Sequence, residues 1–133
     1  MKLAYCGDNC EECPRYIATI TEKRENLKKA ALLMKKVGWP YNLRDLEQMK
    51  CQGCQDMETC EYKIKDCCIG REIENCGNCV DYPCQKIKNA FHITEVNSRN
   101  FKDILTKDEY TMFQKAFFEK KLNLDKEHKL NFS

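Results

Sequence analysis

At 133 residues the chain is sized for one domain. Its charged fraction is 33% but its formal net charge only +2, so acids and bases interleave, and no one-signed field marks a dominant polyanion binder. The N-terminal Met1-Lys2-Leu3-Ala4-Tyr5-Cys6 has no apolar secretory stretch and no later run could span a bilayer, so the expected location is the cytoplasm, with no membrane partner.

Residues 1–50 open with Cys6, Cys10 and Cys13 and continue into a helical pattern. Thr19 and Glu22 have the spacing of a capping box, in which each side chain satisfies a free backbone amide. Leu27, Ala30, Ala31, Met34 and Val37 recur on one helical face, which should pack inward. Gly38 suits a left-handed C-terminal cap and Pro40 forbids continuation, so this helix should stop near Val37. A short helix from Asn42 would bury Leu43, Leu46 and Met49.

Residues 51–84 differ in kind, holding eight of the eleven cysteines and few large apolar groups. Ordering a residue costs roughly 1 to 2 kcal/mol of backbone entropy, which so little apolar surface does not offset without cross-links. In the reducing cytoplasm, Cys-x-x-Cys pairs signify metal or redox chemistry more often than disulfides, and an odd total leaves one thiol over in any all-disulfide scheme. A structural zinc supplies about 10 to 16 kcal/mol in small peptides, enough to make folding depend on the ion.

Residues 85–133 contain no cysteine and return to helical patterning. Pro83 suits the start of a helix carrying Ile87, Ala90 and Phe91, and Ser98 suits the cap of another carrying Phe101, Ile104 and Leu105. Thr106 and Glu109 repeat the capping-box spacing. Tyr110, Phe113, Phe117 and Phe118 then form an apolar stripe, with two readings: packing on the rest of the domain, or a surface for a protein partner. The polar tail after Leu124 is expected to fray. The predicted organisation is a cysteine-rich domain over 1–90 and a helical extension over 91–133 packed on it. The fold class is mainly α, a small single domain with irregular cysteine-rich metal-binding loops, zinc knuckles, between helices.

The strongest chemical signal is the pair of segments Cys51-Gln52-Gly53-Cys54 and Cys76-Gly77-Asn78-Cys79. Two intervening residues let both thiolates meet one tetrahedral ion at about 2.3 Å, and glycine permits the tight turn. Cys6-x3-Cys10-x2-Cys13 gathers three more thiolates and needs a fourth ligand, and Cys60, Cys67 and Cys84 are the candidates for completing incomplete groups. The predicted ligands are therefore Cys6, Cys10, Cys13, Cys51, Cys54, Cys60, Cys67, Cys76, Cys79 and Cys84, holding two zinc ions. Cys68 directly follows Cys67, adjacent side chains rarely converge on one ion, and Cys68 is read as a non-ligand. His92 and His128 lie at no ligand spacing and read as surface residues.

All-sulfur sites are typically closed and structural, and no catalytic residue is signalled. Cys-only coordination also suits iron, and Cys10-x2-Cys13-Pro14 echoes the end of ferredoxin motifs, so an iron-sulfur cluster or thiol redox protein is the alternative. The second alternative is a nucleic-acid-binding zinc module: Lys28, Lys29, Lys35 and Lys36 form a basic strip, but no aromatic residues interleave with them as a stacking platform, which weighs against it. The preferred reading is a structural zinc protein acting as a binding or scaffold module.

Tyr5-Cys6-Gly7 through Cys10, Cys13-Pro14 and Tyr16, then Cys51-x-Gly53-Cys54, and finally Glu74-Asn75-Cys76-x-x-Cys79 to Tyr82-Pro83-Cys84 together resemble a family of bacterial and archaeal cysteine-rich proteins, domain of unknown function 3795. The resemblance covers most of residues 5–88. It implies a zinc-binding domain with no established reaction, substrate or partner. Asp8 departs from it, standing where the family often has an aliphatic residue, and the stretch from Cys60 to Cys68 aligns loosely.

Overall fold

The computed structural model describes residues 2–39, 46–52 and 64–132. Among the described residues, six α-helices follow in chain order: α1 (Pro14–Ile20), α2 (Arg24–Lys36), α3 (Ile64–Gly70), α4 (Gln85–Lys102), α5 (Lys107–Phe113) and α6 (Lys120–Phe132). Single 3-10 turns form at Cys10–Glu12, Leu46–Met49 and Cys76–Asn78, and a π-helical turn, Gln114–Phe118, joins α5 to α6. Among the described residues, extended pairing is limited to one antiparallel bridge between Leu3 and Asn9. The fold is mainly α, as the patterning predicts, and no helix among the described residues is long and apolar enough to cross a membrane.

Two cores hold these helices. In the first, Leu27, Ala30, Ala31 and Met34 of α2 are buried against Ala18, Met49, Phe101, Leu105 and Phe113. Trp39 lies over this core, stacked on Phe113 at 5.5 Å and edge-on to Phe117 at 5.4 Å. Aromatic pairs in such arrangements add about 0.5 to 1.5 kcal/mol each beyond area burial. The stripe of Tyr110, Phe113, Phe117 and Phe118 therefore packs into the domain's own core. The second core is built partly from sulfur: Cys6, Cys10, Cys68 and Cys76 are buried with Ala4, Ile64, Ile87, Ala90 and Leu124. Both cores draw on chain from either side of residue 90, and α4 runs through that position.

Helix ends follow the local chemistry, with three departures from expectation. Gly38 takes the left-handed conformation (φ +82°) at the end of α2, and its amide donates to the Lys35 carbonyl at 2.9 Å, as predicted. The capping box at Thr19 and Glu22 does not form. Pro14, pre-set for a first helical position, starts α1 earlier, so Thr19 lies inside it and donates its hydroxyl to the Arg15 carbonyl at 2.7 Å. Ser98 caps nothing either, because no glycine or proline interrupts the 18 residues of α4, and its hydroxyl pairs with that of Tyr110 at 2.6 Å. Beyond Leu124 the chain stays helical to Phe132. The short helix expected from Asn42 begins outside the described residues, and Leu46–Met49 forms a 3-10 turn with Met49 fully buried.

Thr106 and Glu109 do form a capping box: the Thr106 hydroxyl accepts from the Glu109 amide at 3.2 Å, and the Glu109 carboxylate accepts from the Thr106 amide at 2.9 Å. Glu109 also accepts from Lys36 at 2.7 Å, tying α5 to α2, and Lys36 followed by the Thr106 amide lowers its pKa below the ordinary 4.5. Thr106→Ala should destabilise the protein by about 1 kcal/mol in urea titrations. A lowered carboxyl pKa contributes stability above the unfolded value that is lost as pH falls through it. The stability gap between wild type and Glu109→Gln should accordingly be present at pH 7 and narrow below about 4.5.

Candidate metal centre

The first cysteine loop is a set of tight turns. The Ala4 amide donates to the Asp8 carbonyl at 2.8 Å and the Gly7 amide to the Ala4 carbonyl at 3.0 Å, with Gly7 at φ +94°, where a side chain is strained. The Asn9 side chain then caps the turn Cys10–Glu12, and Cys13 sits at the N-cap of α1 ahead of Pro14. Cys6, Cys10 and Cys13 are all buried, and so is Cys51. The Thr19 hydroxyl accepts from the Cys51 amide at 2.9 Å, and the Arg15 guanidinium donates to the Met49 carbonyl at 3.2 Å, fixing this segment beside α1. Burial pushes the Cys13 thiol up to about 11, opposed by the Tyr16 and Arg15 amides and reinforced by the nearby Cys51. Cys54 and Cys60 lie outside the described residues.

The second group forms where the chain reverses after α3. Glu72 adopts a left-handed conformation (φ 56°), and the Ile73 amide donates to the Cys68 carbonyl at 3.1 Å, turning the chain back toward the segment Cys76–Cys79. There the Asn75 side chain accepts from the Gly77 amide at 2.9 Å, and the Cys79 amide donates to the Cys76 carbonyl at 3.1 Å. This segment is joined to the first loop by the Cys76 amide, which donates to the Tyr5 carbonyl at 3.0 Å. Five cysteines, Cys67, Cys68, Cys76, Cys79 and Cys84, line one cavity of about 20 Å³ together with Arg71, Ile73 and Tyr82. That is room for about one water-sized occupant.

Donors surround these sulfurs. Cys79 Sγ accepts from Arg71 Nη1 at 3.1 Å and from the Asp81 amide at 3.4 Å, while Arg71 is held by Asp81 at 2.7 Å. Cys68 Sγ and Cys76 Sγ stand 3.8 Å apart, and this contact, followed by burial, raises the pKa of Cys76. As they are placed, no three Cys, His, Asp or Glu side chains among the described residues form a group that would hold a metal ion. The donor chemistry nevertheless suits a thiophilic ion: zinc bonded to sulfur at about 2.3 Å sets a tetrahedral sulfur–sulfur edge of about 3.8 Å, the spacing of Cys68 and Cys76.

Both loops are gripped by α6. A Cβ on Gly7 would lie 2.7 Å from the Lys120 carbonyl oxygen and 2.8 Å from Leu124 Cγ, and one on Gly77 would lie 2.8 Å from both Glu127 Cβ and the Leu124 carbonyl oxygen. Asn123 Nδ2 donates to the Gly7 carbonyl at 3.0 Å, and His128 Nδ1 meets the Gly77 carbonyl at 3.0 Å. Tyr82 donates to Asp125 at 2.6 Å, and Asn131 donates to Asn78. His128 is thus a half-buried structural residue, while His92 is exposed. A polar tail gives no sequence cue to this role. Gly77→Ala should cost about 1 to 3 kcal/mol, read by thermal unfolding, because the knuckle must separate from α6 to admit the methyl group.

Residues 2–89 match the family described as "Protein of unknown function (DUF3795)", which is 88 of the 133 residues. The chain belongs to the DUF3795 family. No curated protein and no solved structure matches it. The DUF3795 match takes in every cysteine, both loops and the start of α4, whereas Lys120, Asn123, Leu124 and His128, which hold those loops, lie beyond it.

Proposed function

We propose that this protein is a structural zinc-binding module in which cysteine thiolates cross-link loops that its small apolar core does not hold alone. The convergence of five cysteines on one ion-sized cavity supports this reading. One centre would draw on Cys76, Cys79, Cys84 and a cysteine of α3. The other would draw on Cys6, Cys10, Cys13 and Cys51, with Cys54 close in sequence to Cys51. A bound zinc would supply a closed, redox-inert cross-link. The chain's own groups prepare for it: Arg71 and the Asp81 amide donate to Cys79, and Cys84 sits at the N-cap of α4. The module would then present its helical surface as a scaffold or binding element.

Elemental analysis of protein purified without oxygen or chelators, with its visible spectrum, tests this directly. About two zinc ions per chain and no colour is the expected result. Iron with sulfide and a brown solution would instead establish the iron-sulfur alternative, and metal-free folded protein would overturn both.

A further inference from the structure

We propose that Cys68, not Cys67, is the ligand that α3 contributes to the second centre, giving a Cys68–Cys76–Cys79–Cys84 thiolate set; this rests on the zinc reading above. Consecutive helical residues diverge by about 100° around the axis, so Cys67 and Cys68 point in different directions although both border the cavity. The choice is made by Ile64. Residues four apart share a helical face, and Ile64 (1% exposed) and Cys68 (0%) together form the inner face of α3. That face belongs to the same core as Cys76. Cys67 is only half-buried.

Distance points the same way. The 3.8 Å between Cys68 Sγ and Cys76 Sγ already equals the edge of a four-thiolate tetrahedron, so these two sulfurs take an ion between them with no change in their separation. The reversal at Glu72 and the bond from the Ile73 amide to the Cys68 carbonyl fix this approach across eight residues of chain. Cys79 and Cys84 line the same cavity. On binding, each thiol releases its proton to solvent and its sulfur lone pair forms the bond to the divalent ion. Cys67 is left as a free, partly exposed thiol at the rim.

The test loads the intact wild-type chain with cadmium-113 and records proton–cadmium correlation spectra, in which only ligating cysteines show coupling from their β-protons. The expected result is one cadmium resonance coupled to Cys68, Cys76, Cys79 and Cys84, and an unchanged spectrum for Cys67→Ser. Coupling to Cys67, alone or beside Cys68, overturns the assignment while leaving the zinc reading intact. Coupling to none of the five removes the second centre itself. Cys68→Ser should lower metal content by one ion per chain, and the wild-type spectra decide the matter even if that variant does not fold.

Discussion

Serine in place of both Cys76 and Cys79 is expected to remove one zinc ion per chain and to unfold the chain from α3 to the start of α4. Of the second core, only Ile64, Ile87, Ala90, Ala4 and Leu124 would remain as buried apolar groups around the knuckle, together with the remaining cysteines. A structural zinc contributes about 10 to 16 kcal/mol in small peptides, comparable with or above the whole stability of a typical domain. The first core has no cysteine among its residues, so the packing of Trp39 on Phe113 should survive. Hydrogen exchange should therefore rise sharply over residues 64–85 and little over α2 and α5, and metal content should fall by one. A double variant with unchanged metal content and helicity would sink the reading.

The elements legible in the sequence are those whose signal is local. The inward face of α2, its stop at Gly38 and the box at Thr106 each depend on residues within one or two turns, and each is found where the spacing predicts. A tight turn also forms between the closely spaced Cys76 and Cys79. What escapes is set at long range. Thr19 carries a capping pattern yet serves Cys51, 32 residues away, and Ser98 serves Tyr110. Cys67 and Cys68 are neighbours in sequence, and what distinguishes them is the packing of Ile64 and the approach of Cys68 to Cys76. The role of α6 is the largest omission: its buried residues are Lys120, Asn123 and Leu124, two of them polar, so a search for apolar periodicity passes over the helix that holds both cysteine loops.

Lys120→Met is expected to cost about 3 to 5 kcal/mol, because it strands a buried charge. Lys120 Nζ stands 2.6 Å from Asp8 Oδ1, with the two side chains 4% and 14% exposed, and it also donates to the Phe117 carbonyl at 2.7 Å. Burial is the dominant influence on Asp8 and holds its pKa above the ordinary carboxylate value despite the opposing pull of Lys120, which marks how expensive this carboxylate is to keep. Removing the lysine leaves that cost uncompensated and loosens the first cysteine loop from α6. Converting both partners to apolar residues is different in sign: a well-packed apolar pair is often neutral or stabilising relative to a buried ion pair. Asp8→Leu combined with Lys120→Met should thus recover most of the stability lost by Lys120→Met alone, a coupling readable in a double-mutant cycle by urea unfolding. Such recovery would show that the acid at position 8 is held by the lysine that α6 brings from beyond the family's matched region. If the double variant were as unstable as the single one, the ion pair would not be what joins the loop to α6, and the contacts of Gly7 with Leu124 and Asn123 would carry that role.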